Sequence, residues 1–172
     1  MRASRITYVG ELGWELYIPG EQVLDVYERL LEAGAGFGLR HAGYHAMAAC
    51  RVEKGYRHWS HDIGDEDTPL EAGLGFTVAW DKSGGFIGRQ ALLAQRERKA
   101  LPKRLVQVML QDASASAPLL YHEEPILRDG QIVGSIRSGA FGHRVGRSIG
   151  MGYVSCESGV TAQWLQIGRA HV

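Results

Sequence analysis

Two glutamates four residues apart, Glu11 and Glu15, stand among glycines and aromatic residues in Tyr8-Val9-Gly10-Glu11-Leu12-Gly13-Trp14-Glu15. An ionised carboxylate can accept two parallel hydrogen bonds from a flat pair of N–H groups, such as an amidine-like ring edge. Glu15 falls between Trp14 and Leu16 in a β-rich run, where an acid is disfavoured unless it has a partner. The residues alone leave two readings open, a bidentate acceptor or an outward-facing acid on a half-exposed strand. Arg51, Glu53, Lys54 and Arg57 gather at a predicted helix end, which a solvated or ion-paired cap also explains. Four of the seven histidines fall between positions 41 and 61. His41 and His45 share a helical face, and His58-x-x-His61-Asp62 could add ligands, but the rest of a zinc-hydrolase pattern is missing and no metal ligand is assigned. Cys50 sits in an apolar helical run and reads as an inert thiol. Ser83–Gly88 lacks both the phosphate-loop lysine and the dinucleotide glycine spacing, so it reads as an ordinary turn.

These side chains need elements to hold them. Arg5–Val9 and Trp14–Ile18 are predicted strands joined by a hairpin loop at Gly10–Gly13. Glu21–Ala33 places Leu24, Tyr27, Leu30 and Leu31 on a helical stripe, stopped by Gly34. His41–Lys54 reads as a second helix, ended by Gly55. Residues 56–69 are polar and turn-like, with four acids between Asp62 and Asp67. Phe76–Trp80 is predicted as a short strand and Gly88–Lys99 as a helix. Ala100-Leu101-Pro102-Lys103 then breaks the pattern and is the expected domain boundary. Beyond it the period is that of strands: Arg104–Leu110, Pro125–Arg128, Gln131–Arg137, Gly150–Val154 and Val160–Leu165. Asp129-Gly130 is a strong hairpin signal between the second and third of these. The expected class is therefore α+β, an α/β unit over 1–99 followed by a small all-β barrel or sandwich over 104–165.

Composition limits the function classes. The 172 residues are 45% hydrophobic and 22% charged, which excludes a disordered chain and suits one domain or two small ones. No run approaches the ~18 apolar residues of a membrane span. Nineteen basic and nineteen acidic residues cancel, so nothing points to nucleic acid or an anionic membrane surface. Residues 1–86 hold 8 Lys/Arg against 13 Asp/Glu, and residues 87–172 hold 11 against 6, a reversal that fits two units or chance asymmetry equally. Two distant cysteines and no signal segment make a reducing, cytoplasmic compartment the default expectation, or the mitochondrial matrix in a eukaryote. The chain enters a strand pattern almost at once, as a fragment of a longer protein would. Residues 166–172 are encodable by a string resembling a common sequencing adapter and are set aside from fold reasoning.

Several of these segments together resemble the glycine-cleavage T-protein (aminomethyltransferase) family. Tyr8–Glu15 resembles its Tyr-Thr-Gly-Glu-x-Gly-aromatic-Glu signature, and Arg51-Val52-Glu53-Lys54-Gly55 its Arg-Leu-Glu-Ala-Gly helix end. Thr68–Leu74 and Phe86–Arg89 resemble its next two landmarks, and Gly134–Gly139 with Ser148–Val154 its C-terminal β-barrel domain. Within the family, Glu53–Trp59 is similar to the C-terminal half of FAD-dependent sarcosine and dimethylglycine dehydrogenases and related N-methyl amino acid oxidases. The resemblance implies a folate-binding half that takes up a one-carbon unit on tetrahydrofolate. It also implies a parent protein whose missing N-terminal flavin domain binds FAD and oxidises an N-methyl amine.

By the same resemblance, Glu15 is the folate-binding carboxylate that holds the pterin edge, Tyr8 packs its ring, and Arg51 bonds an acceptor on the folate. Glu11 keeps its motif position as a turn residue. Many dehydrogenase relatives carry a small residue where Arg51 stands. The family's catalytic aspartate would precede residue 1, so no catalytic residue is assigned here. Two further readings stand beside this one. The chain could belong to a free-standing aminomethyltransferase working with a lipoyl carrier protein, or to a non-catalytic folate-binding regulatory protein on the same fold.

Overall fold

The computed structural model describes residues 1–98, 100–112 and 118–166. The chain forms two compact units, Met1–Tyr56 and Arg57–Val172. Mixed helix and antiparallel sheet make it an α+β protein, as expected. No helix among the described residues is long and apolar enough to cross a membrane. Lys99 and residues 167–172, which include nearly all of the segment set aside above, lie outside the described residues.

In the first unit, β1 (Arg2–Ser4) pairs antiparallel with β2 (Glu15–Tyr17), aligning Ser4 with Glu15 and Arg2 with Tyr17. The expected strand Arg5–Val9 is not formed; pairing occurs upstream of it, and residues 5–14 make one long loop. Local bonds divert that backbone from a ladder. The Ile6 N–H donates to the Ser4 carbonyl at 2.9 Å, the Val9 N–H donates to Thr7 Oγ1 at 3.2 Å, and Gly10 takes φ +74°. Helix α1 (Val23–Gly34) carries the anticipated apolar stripe, yet none of its residues is buried within the unit. Its tie to the following segment is polar-aromatic: Tyr27 Oη lies 2.8 Å from His41 Nε2, with the two rings stacked. Helix α2 (Tyr44–Glu53) buries Arg51 and Val52 near its end.

The second unit opens with a tightly bonded turn. Thr68 and Glu71 bond reciprocally, Thr68 N–H to Glu71 Oε2 at 3.1 Å and Glu71 N–H to Thr68 Oγ1 at 3.2 Å, in the pattern of a capping box around a single turn that contains Pro69. The expected strand Phe76–Trp80 is instead a 3-10 turn at Gly75–Thr77 followed by bends. The Thr77 hydroxyl donates to the Leu74 carbonyl and the Arg89 guanidinium donates to the Trp80 carbonyl, so groups a ladder would use are already engaged. Helix α3 (Arg89–Arg96) is shorter than expected at both ends, its cap being Gly88 at φ +85°.

Four strands follow: β3 (Leu101–Met109), β4 (Pro125–Arg128), β5 (Gln131–Gly142) and β6 (Arg147–Val160), in the antiparallel order β3-β6-β5-β4. Ala100–Lys103 lies within this unit, with Pro102 at a bulge on edge strand β3, where a missing N–H is tolerated. Asp129 and Gly130, both at positive φ, join β4 to β5 as anticipated. The two expected strands Gly150–Val154 and Val160–Leu165 are corrected. The first is part of the longer β6, and the second gives way to helix α4 (Ala162–Gln166), whose Trp164 N–H is capped by Thr161 Oγ1.

Central strand β6 is buried on both faces from Ser148 to Val154. One face joins Leu120, Ile126, Ile136, Val154 and Val160 into the core. The other carries Met151 and Tyr153 beside Leu105, whose N–H donates to the Glu71 carbonyl at 2.9 Å. A Cβ on Gly152 would collide with the Ser135 carbonyl, and one on Gly134 with the Tyr153 carbonyl. The Asp62–Asp67 loop is tied to β3 by an ion pair, Lys103 Nζ to Asp67 Oδ1 at 2.7 Å. Burial alone would raise the Asp67 carboxyl, but the Lys103 hydrogen bond, the Gly64 N–H and the Lys103 charge outweigh it and hold Asp67 below the usual range.

Two outcomes follow. Gly152→Ala should lower unfolding stability in urea by about 1–3 kcal/mol, because overpacking here meets backbone that cannot rotate away. The depressed Asp67 carboxyl contributes stability that is present above its unfolded pKa and lost as the pH falls through the folded value. Stability should therefore decline as the pH drops below about 4, and Asp67→Asn should flatten part of that slope in urea melts across pH.

Candidate functional site

The helix end at Arg51–Gly55 builds the first part of the site. Gly55 adopts φ +65°, its N–H bonds the Val52 carbonyl at 3.0 Å, and the Tyr56 N–H bonds the Arg51 carbonyl at 2.9 Å. This is a Schellman termination, which needs a glycine at its left-handed position and turns the next residue back against the last helical turn. Tyr56 is placed by that turn. Its carbonyl accepts from Arg51 Nη1 at 3.2 Å, and its ring stacks on Tyr8 with centroids 6.2 Å apart and planes 20° from parallel. Tyr8 and Arg51 are thus brought together around one intervening residue. Arg51 is only 5% exposed, so its charge is held in a largely desolvated setting.

The loop carrying Tyr8 reaches the same helix end through Gly10, where a Cβ would run into the Lys54 side chain. At φ +74° a side chain would be strained, so the backbone itself favours glycine at this position of the Tyr8–Glu15 motif, while the exposed Lys54 chain could shift. Gly13 passes close to Thr7 within the same loop.

Glu15 is placed differently. It lies exposed on β2, and its carboxylate accepts from the Tyr17 hydroxyl at 2.8 Å, two residues along the same strand face. It does not share the contacts around Tyr56, and one carboxylate oxygen remains available to further donors. The hydrogen bond to Glu15, then its negative charge, raises the Tyr17 phenol above its ordinary value. The sequence singled out Tyr8, Glu15 and Arg51 but passed over Tyr56. Its position directly after the cap glycine was the available signal.

The residues considered for metal or phosphate fall into ordinary roles. His41 partners Tyr27, and His58 and His61 meet edge-on at 5.8 Å. Among the described residues no group of three or more His, Cys, Asp or Glu side chains could hold a metal ion. Gly84, Gly85 and Gly88 form the left-handed turn preceding α3.

In chemical terms the first unit offers an aromatic platform, a buried guanidinium and an exposed carboxylate. These are groups suited to a flat, polar-edged ring.

Comparison with known proteins gives a consistent result. Residues 1–82 match the GCVT N-terminal domain, and residues 103–171 match the glycine cleavage T-protein C-terminal barrel domain. The chain is 45% identical over 147 residues to a 4-methylaminobutanoate oxidase (formaldehyde-forming) from Paenarthrobacter nicotinovorans, spanning 86% of this chain. It is 43% identical over 159 residues to mouse mitochondrial sarcosine dehydrogenase, spanning 92% of this chain. The match covers 17% of the length of each of these relatives. The fold is similar to that of aminomethyltransferase T of the glycine cleavage system from Bartonella henselae, with a TM-score of 0.77 and 25% identity over 89% of this chain and 41% of that one.

Replacing Glu15 by Gln should move the Tyr17 phenol back down toward its ordinary value. A near-ultraviolet titration of the two proteins, each compared with its Tyr17→Phe counterpart, measures the shift. An unchanged titration would show that the Glu15–Tyr17 bond does not persist in solution.

Proposed function

Because this chain belongs to the glycine-cleavage T-protein family, we propose that it is the folate-binding C-terminal part of a flavin-dependent N-methyl amino acid dehydrogenase or oxidase. The observation that carries this reading is the convergence of Tyr8 and Arg51 on Tyr56 beneath a motif that ends in an exposed Glu15. The dehydrogenase and oxidase relatives support the choice of parent protein.

Tetrahydrofolate supplies a nitrogen pair that accepts a one-carbon unit. The residues here bind and orient it. Glu15 would accept from the pterin N–H and amino group, with Oε2 shared with or released by the Tyr17 hydroxyl, and Tyr8 would pack against the ring. Arg51 donates to a folate acceptor while its bond to Tyr56 fixes its direction. No catalytic residue is assigned within this chain, and FAD is a cofactor of the parent protein's separate flavin domain. Residues 1–99 would contribute part of the folate domain and residues 104–165 the barrel domain. The location proposed is the cytoplasm, or the mitochondrial matrix in a eukaryote.

A free-standing aminomethyltransferase is the second reading, supported by the fold of the Bartonella henselae protein. A flavin absorbance spectrum in the natural protein that contains this chain separates the two: its presence supports the dehydrogenase, its absence the transferase.

Calorimetric titration with tetrahydrofolate tests the shared part. The folded chain should bind, and Glu15→Gln should weaken binding by about 1–3 kcal/mol, as for a charge-assisted pair. Unchanged affinity removes Glu15 from the site, and no binding by the folded chain removes the folate reading.

A further inference from the structure

A second site lies wholly within the second unit, on the face of the sheet opposite the Ile136 core. A polar cleft of about 360 Å3 opens between the loop at residues 60–67 and strands β3, β5 and β6. Its floor is set by strand register. Ser135 aligns with Tyr153 and Lys103 with Ser155, so these four side chains share one face. Arg137 joins them at the irregularity between Ile136 and Ser138, where β5 has one residue more than its partner. Such a bulge re-aims a side chain, and here Arg137 lines the cleft.

Much of the charge in the cleft is already spent. Lys103 pairs with Asp67 at 2.7 Å and donates to the Glu66 carbonyl at 3.2 Å, and the other Asp67 oxygen accepts from the Gly64 N–H at 2.8 Å. Asp62, 1% exposed, accepts from the His58 N–H at 2.8 Å. Asp65 and Glu66 on the loop and Arg137 on the floor form no ion pair or side-chain hydrogen bond among the described residues. All three are exposed, so opposite charges line one cleft as solvated groups.

The hydroxyl of Tyr153 adds an independent observation. Tyr153 is 8% exposed and lines the cleft, yet its buried oxygen makes no hydrogen bond of sound geometry. Burial, then the Asp67 charge and the hydroxyl's contact with that carboxylate, raises its phenol well above the ordinary value, so it remains a donor throughout the neutral range. A buried donor held only by a poorly aligned contact to Asp67 can turn to a better-placed acceptor.

We propose that this cleft binds a small zwitterion, a molecule carrying an ammonium and a carboxylate a few bonds apart, as free amino acids do. Arg137 and the Tyr153 hydroxyl donate to the carboxylate, Arg137 through its two-pronged guanidinium. Asp65 and Glu66 accept from the ammonium. A simple anion would meet the two loop acids, and a simple amine would leave Arg137 and Tyr153 unanswered. A metal ion lacks the ligands among the described residues. The site is separate from the folate reading and does not depend on it.

Glycine, acetate and methylammonium, each titrated into the full chain and followed by amide NMR shifts, test the proposal. Glycine should shift the amides around Ser135, Arg137 and Tyr153 saturably, and each half-ligand should bind at least about tenfold more weakly. Arg137→Gln and Tyr153→Phe should each weaken glycine by about the same factor, whereas Arg144→Gln in the β5–β6 turn should not. Acetate binding as well as glycine would replace the zwitterion with a general anion, and methylammonium doing so would replace it with a cation. No saturable shift, or full binding by the folded Arg137→Gln protein, overturns the site. If a variant does not fold, the ranking of the three ligands on the unaltered chain decides.

Discussion

The close approach of strands β5 and β6 governs the second unit. At Gly134 and Gly152 the neighbouring backbone occupies the space a side chain would take. That approach lets β6 be buried on both faces, with Ile136 and Val154 in the core on one side and Met151 and Tyr153 on the other. Gly150 makes room for the Leu120 and Ile136 side chains in the same way. A strand buried twice over must hold its register, because a slip of one residue would exchange its two faces. The same register sets Ser135, Tyr153, Ser155 and Lys103 side by side beneath the polar cleft.

In the first unit the governing element is a helix termination. The Schellman turn at Gly55 fixes Tyr56, and Tyr56 in turn fixes the relation of Tyr8 to Arg51. Two stretches of sequence some forty residues apart thereby meet through a side chain that neither motif emphasises. Apart from this corner the unit has little interior. The apolar stripe of α1 stays exposed, as do Trp14 and Phe37. An amphipathic helix ordinarily covers such a stripe by packing. The chain spans 17% of the length of its oxidase and dehydrogenase relatives.

Both units use buried ionisable groups as fasteners rather than as isolated charges. Arg51 donates to a carbonyl, Asp67 is held by Lys103 and Gly64, and Glu71 is held by Thr68 and Gln95. In each, hydrogen bonds take the place of hydration lost on folding. Such groups orient loops with few hydrophobic contacts, as in residues 60–71.

What the sequence determined by itself was local. The Asp129-Gly130 turn, the Gly55 stop after α2 and the helical stripe of α1 depend on neighbouring residues and were readable from them, whereas α1 takes in Gly34 and the left-handed stop comes only at Gly38, after a 3-10 turn. The motifs at Tyr8–Glu15, Arg51–Gly55, Thr68–Leu74, Phe86–Arg89, Gly134–Gly139 and Ser148–Val154 together carried the resemblance to the family. Where local preference and long-range bonding competed, it misled: Arg5–Val9, Phe76–Trp80 and Val160–Leu165 have strand-like residues but spend their hydrogen bonds on turns, side chains and a cap. Only the tertiary structure decided that Tyr56 stands between Tyr8 and Arg51, that Glu15 turns to Tyr17, and that a bulge presents Arg137 beside a buried phenol. Those relations join residues distant in the chain, and they exist only once backbone hydrogen bonds and close packing have selected one register.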